Sequence, residues 1–179
     1  AENACEPTEP PAEFGQCGDP ATLISAVQGA GDVSPLEGDL VVIEGVVVGD
    51  FQDGDGDPFD TDLGGFFVQE EDADADADPA TSEGVFVYAP GAADVEVGDT
   101  LRLEGTVEEF FGLTQLSGVT LLPCAAASAL PTPAAITFPL TSATDLEAFE
   151  GMAVELPQTL FISEFFNFDR FGEIVLAAP

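Results

Sequence analysis

The sequence predicts an all-β protein, a small closed barrel of five strands of the OB type followed by a partial second β unit. Three observations predict it. Five short segments between Leu40 and Leu122 are rich in β-branched and aromatic residues and are bounded by Gly, Pro and Asp clusters. The long connection falls in the middle of the set, and Gly45 and Gly105 sit inside strands, where a barrel strand has to coil. A seven-stranded sandwich is the alternative architecture.

Residues 1–18 form an extended, Pro-rich arm with Pro7, Pro10 and Pro11. The barrel occupies 19–124. Its first strand is the β-branched run Leu40 to Val48, interrupted by Glu44-Gly45, and two short strands follow at Gly65–Gln69 and Gly84–Tyr88. Thr100 to Phe110 alternates, with Leu101, Leu103 and Val107 set against Arg102, Glu104 and Glu108. A tight Phe111-Gly112 turn leads into the last strand, Leu113 to Leu122.

Residues 125–139 are a Pro/Ala linker, and at 140–179 the chain begins again. Gly151-Met152-Ala153-Val154-Glu155-Leu156 followed by Leu160-Phe161-Ile162 echoes the first strand, and Gly172-Glu173-Ile174-Val175-Leu176 echoes the second. The second unit thus holds two or three strands with unpaired edges. Three arrangements fit: packing on the barrel, continuation into further residues, or completion by another copy of the chain through strand addition.

The 179 residues carry 35 acidic and two basic side chains, a formal charge of -33, yet 45% are hydrophobic and 15 are Phe. That is enough apolar material for a core, and it separates the chain from disordered acidic tails. Such charge disfavours phosphate backbones and anionic membrane surfaces, where binding presses like charges together. No apolar run approaches the roughly 18–20 residues that span a bilayer, so a soluble chain without membrane insertion is expected.

The start Ala1-Glu2-Asn3-Ala4 suits cleavage after a small-residue signal site. Cys5, Cys17 and Cys124 allow one disulfide with one thiol left over. Pairing Cys17 with Cys124 closes a long loop; Cys5 with Cys17 is the alternative, closing only the acidic arm. A disulfide and calcium-type loops together place the protein outside the cell, as a secreted chain.

Carboxylates occupy every second residue in two runs, Asp53, Asp55 and Asp57, with Asp60 and Asp62 beyond, and Asp72, Asp74, Asp76 and Asp78. Neighbouring carboxylates ~6–7 Å apart repel by roughly half a kcal/mol per pair even in water, so a folded segment that gathers them needs cations. On a twelve-residue calcium loop Asp72, Asp74, Asp76 and Asp78 take positions 1, 3, 5 and 7, and Glu83 takes position 12, where a bidentate carboxylate belongs. Ala77 stands where a helix-flanked loop has Gly, and no amphipathic helices surround the run, which makes it a calcium loop in a β context. Thr81 and Ser82 add hydroxyls to it. With no His in the chain the donors are oxygens, which select a hard cation, Ca2+ above Mg2+. Solvated acidic loops, or adaptation to high salt, are the bland readings.

No catalytic constellation emerges. The chain has no His for general base work, no Lys for a Schiff base, and no Gly-rich loop leading to a Lys; nothing singles out a carboxylate pair for glycoside cleavage. An enzyme is not expected.

Several segments carry a family likeness together: Ile24–Gly29, Val42–Val47, Gly65–Glu70, Asp76–Val87 with its Asp-Pro-Ala-Thr-Ser stretch, Phe111–Leu116, and Phe149–Leu160 with Leu-Pro-Gln-Thr-Leu. Over residues 20–176 the chain resembles the non-catalytic OB-fold region of bacterial extracellular nucleases of the endonuclease/exonuclease/phosphatase class. The resemblance implies a secreted accessory module. It also implies that nuclease chemistry belongs to a separate domain with catalytic histidines, which this chain lacks.

The function expected from the sequence is therefore a secreted, calcium-binding, non-catalytic protein for interaction or self-assembly, a homo-oligomer or extracellular polymer or filament joined through exposed strand edges. The alternative is a substrate- or DNA-binding accessory of an extracellular nuclease. That role needs calcium to bridge carboxylates to phosphates, because only Arg102 and Arg170 offer cationic contacts.

Overall fold

The computed structural model describes residues 13–52, 63–76, 78–171 and 173–179. Cys5, most of the N-terminal arm and the first acidic run, Asp53, Asp55 and Asp57, lie outside the described residues. The fold is built mainly of strands, as expected. β1 is Leu40–Phe51, β2 Gly65–Gln69, β3 Gly84–Tyr88, β4 Thr100–Phe110 and β5 Leu113–Ala125.

Hydrogen bonding runs β1-β2-β3-β5-β4 and returns to β1. All pairings are antiparallel except β3 with β5, where Phe86 faces Gln115 and Val87 faces Leu116 in parallel. β1 makes the return possible. Its first part, Leu40 to Val46, pairs with β4, and its second, Val46 to Phe51, pairs with β2. The strand coils between the two partners around Gly45, where a Cβ would come within 2.8 Å of the Gln69 carbonyl oxygen and of Val68 Cγ1. In the β4–β5 pair a register break between Glu104 and Thr106 falls around Gly105.

Alternate residues point inward, as the period-2 pattern requires. Val41, Ile43 and Val47 of β1 meet Phe66 and Val68 of β2, Val85 and Val87 of β3, Leu101, Leu103 and Val107 of β4, and Leu116 of β5. Each such side chain taken fully from water contributes roughly 1.5–3 kcal/mol. One end of this core is closed by α1, Ile24–Gln28, whose Ile24 and Val27 are wholly buried. A pair of aromatic contacts, Phe51 with Phe67 and Phe67 with Phe86, runs across β1, β2 and β3 at centroid distances of 5.7 and 4.9 Å.

Cys17 and Cys124 are joined, with Cα atoms 5.6 Å apart and a sequence separation of 107. The staple ties the segment before α1 to the end of β5.

Past the barrel, β6 (Ala134–Ala135) lies in the Pro/Ala segment and pairs in parallel with β7 (Val154–Glu155). A 3-10 helix at Ala143–Phe149 intervenes, started by a capping box between Ser142 and Asp145. β8 (Phe161–Glu164) and β9 (Val175–Ala177) form a two-stranded antiparallel sheet. Neither strand buries a residue, so the hairpin is not packed on the barrel. Among the described residues no helix is long and apolar enough to cross a membrane.

Candidate functional site

The loop from the end of β2 to the start of β3 carries the second acidic run. The strand period sends Val68 into the core, and Gln69 and Glu70 are also buried where the loop leaves the barrel. Glu70 is 4% exposed, covered by α1, and its Oε1 accepts a 2.7 Å bond from the Ile24 amide. A turn at 72–74, with the Asp74 amide donating to the Glu71 carbonyl at 2.9 Å, folds the chain back. One carboxylate oxygen from each of Glu70, Glu71 and Asp74 consequently lies within 4.8 Å of the other two. Oxygens that share a calcium ion at 2.3–2.6 Å stand no more than about 5 Å apart, so the three fit one ion.

Glu83 closes the loop from the β3 side. It is 8% exposed, and its backbone carbonyl accepts from the Glu70 amide at 3.0 Å. Its Oε1 accepts from the Asp76 amide at 2.8 Å, while Oε2 is buried without a partner, the one such side-chain atom among the described residues. A buried carboxylate oxygen with nothing to accept from costs free energy, and a cation is one group that removes that cost.

Electrostatics point the same way. Burial pushes the Glu70 carboxyl up to about 8 against the bond from Ile24, with the negative charges of Glu83, Glu71 and Asp74 adding to the rise. Burial also raises Glu71, with Asp74 and Glu44 as repelling neighbours. Glu83 is raised by burial and then by the Asp76 carboxylate. These carboxyls compete for the absence of charge, which a divalent ion in their midst would reverse.

Other residues of the run serve the loop itself. Asp72 turns to the post-barrel chain: its two oxygens accept from Thr132, from the amide at 2.8 Å and the hydroxyl at 2.6 Å, which hold its carboxyl below the usual range. Asp76 accepts from the Asp78 amide at 2.7 Å and from the Thr81 hydroxyl at 3.1 Å, and its carboxyl is lowered chiefly by the first of these. Asp78 accepts from the Ala80 amide at 3.0 Å, a second turn of the same kind. The structure thus brings Asp74 together with Glu70 and Glu71, sets Glu83 beside Glu70 and Asp76, and uses Asp72 and Asp78 as local acceptors. Glu70 and Glu71 were not among the sequence candidates. Their signal was position, the first two acids after a short strand.

The positive charge sits elsewhere. Arg102 is fully buried and bonds to the carbonyls of Asp19 at 2.8 Å and Pro20 at 2.9 Å, to that of Phe14, and to Glu44. It is spent on holding the N-terminal segment to β4 and presents nothing to a phosphate at the surface. The Arg170 side chain lies outside the described residues.

Compared with protein-family models, with curated proteins and with solved structures, the chain matches none of them.

Proposed function

We propose that this chain is a secreted, calcium-stabilised, non-catalytic module of the OB type that acts by interaction and self-assembly. The observation that carries the reading is the convergence of one carboxylate oxygen from each of Glu70, Glu71 and Asp74 within 4.8 Å of the other two. Calcium suits it better than magnesium, because carboxylates and loop carbonyls on an irregular segment give many flexible oxygens instead of a tight octahedron. A strand order of β1-β2-β3-β5-β4 with a coiled first strand supports the OB assignment. The disulfide and the millimolar calcium outside cells support an extracellular setting.

Thermal unfolding in millimolar calcium against chelator, at fixed ionic strength, tests the reading. A calcium-specific rise in Tm is expected. An equal response to sodium and to calcium would reduce the acidic loop to a solvated one.

The assembly role draws on the C-terminal hairpin. Phe161, Ile162, Phe165 and Phe166 are 57%, 63%, 70% and 86% exposed, and among the described residues β8 and β9 pair only with each other. An isolated two-stranded sheet is marginal in water, and strand addition by a second copy would cover both the edge and the aromatic face. The alternative, a DNA-holding accessory, loses its best direct contact with Arg102 buried; a gel shift with and without calcium separates it from assembly, which predicts no shift in either.

A further inference from the structure

β3 and β5 stay together only briefly. They pair in parallel at Phe86 with Gln115 and at Val87 with Leu116, and there the pairing ends. The chain leaving β3 turns away: the Ala89 amide donates to the Gly64 carbonyl at 3.0 Å, and a turn closes between Ala89 and Ala92. β5 runs on beside β4, with Ser117 opposite Thr106. The divergence opens a cleft of about 720 Å³ on the outer face of the barrel, within the range of roughly 300–1,000 Å³ typical of small-molecule sites.

The strand period decides what lines it. Val87, Val107 and Leu116 point into the core, so Tyr88, Glu108, Gln115 and Ser117, each one position away, point out, and Phe110 follows Glu108 on the same face. The rings of Tyr88 and Phe110 are half exposed. Gln115 is 5% exposed, yet among the described residues its side-chain amide bonds to no protein group. A buried amide with its donors and its acceptor unused, set in the wall of a cleft, calls for a polar partner there.

We propose that this cleft binds an electrically neutral carbohydrate. The rings of Tyr88 and Phe110 supply apolar surface that suits the C–H face of a sugar ring. The Gln115 amide and the Ser117 hydroxyl both donate and accept, and Glu108 accepts, which matches the mixed donors and acceptors of sugar hydroxyls. Glu108 is the one charged residue lining the cleft, and the chain carries 35 acidic against two basic side chains, so phosphorylated, uronic and other anionic sugars are repelled. A cationic ligand would use the acceptors and leave the donors of Gln115 and Ser117 idle. The β2–β3 loop takes no part in the cleft, so the site stands independently of the cation reading.

Tyr88 is the single Tyr of a chain without Trp, so its fluorescence reads the cleft directly. The probes are cellohexaose, maltohexaose, mannohexaose and chitohexaose, titrated onto the intact chain with calorimetry alongside. At least one is expected to change the Tyr88 emission saturably, with a Kd of about 1 mM or tighter. Phe110→Ala is expected to weaken that binding by about ten-fold and Ser117→Ala by about three-fold, both at outward positions and with Tm unchanged. Binding undiminished in both variants places the sugar elsewhere and overturns the site. No response to any of the four at about 10 mM overturns the proposal. So does a saturable response to hexalysine alone that is lost in about 0.5 M salt, which would make the cleft a site for cations.

Discussion

Arg102 Nη1 lies 3.1 Å from Glu44 Oε2, across the β1–β4 pair in which the two residues are direct register partners. The guanidinium is completely buried, and four backbone carbonyls between Glu13 and Pro20 complete its shell. One of only two cations in the chain therefore organises the whole N-terminal approach to the barrel.

Replacing Arg102 by Leu would leave Glu44 and those carbonyls without a donor. A loss of about 3–5 kcal/mol is expected, read as a lower urea midpoint with an unchanged slope. Arg102→Lys should recover little of it, since an ammonium cannot reproduce the planar fork.

The pH dependence of the calcium-free protein follows from Glu70. A carboxyl with a higher pKa in the folded than in the unfolded chain binds its proton more tightly when folded. The stability it contributes is complete below its unfolded value of 4.5 and is lost as pH rises toward about 8. Tm in chelator is expected to fall between pH 5 and pH 8, and Glu70→Gln to flatten that fall while weakening calcium binding. An equally steep fall in the variant would assign the effect to the overall charge.

Asp74 and Asp72 differ in role although they are two residues apart. Asp74→Asn removes a cluster carboxylate and is expected to weaken calcium binding by about ten-fold, measured by titration calorimetry. Asp72→Asn keeps an acceptor for Thr132 and should change it by less than about three-fold.

Assembly should depend on the C-terminal aromatic face. In calcium, light scattering is expected to show species larger than one chain, and Ile162→Asp with Phe166→Ser to return the mass to that of a monomer without altering Tm of the barrel. A wild-type chain that stays monomeric at high concentration would rule this face out as a self-interface.

The barrel was legible because its signals are local. Leu101, Leu103 and Val107 alternate in the sequence as they do in space, and the Phe111-Gly112 turn sits between β4 and β5 as expected. β1 runs on to Phe51 and β5 to Ala125, beyond their expected ends, because pairing with β2 and β4 carries them past their apolar runs. The site was legible only in part. Of the three clustered carboxylates only Asp74 stands in the acidic run picked out by spacing, and Glu70 becomes special through α1, a helix of five residues with no side-chain cap that sits 46 positions upstream of it at Ile24. The partners of Arg102 were equally hidden, being mostly carbonyls more than 80 positions away.

The Cys17–Cys124 bond also sets how the molecule carries load. Tension applied between residues before Cys17 and residues after Cys124 passes directly from sulfur to sulfur, so every barrel strand lies in a slack, shielded loop. In a filament whose subunits are pulled through their ends, the barrel would bear no force while the bond is intact. Reduction would put the strands in line and release roughly 36 nm of chain at ~3.4 Å per residue, a step that single-molecule stretching resolves directly.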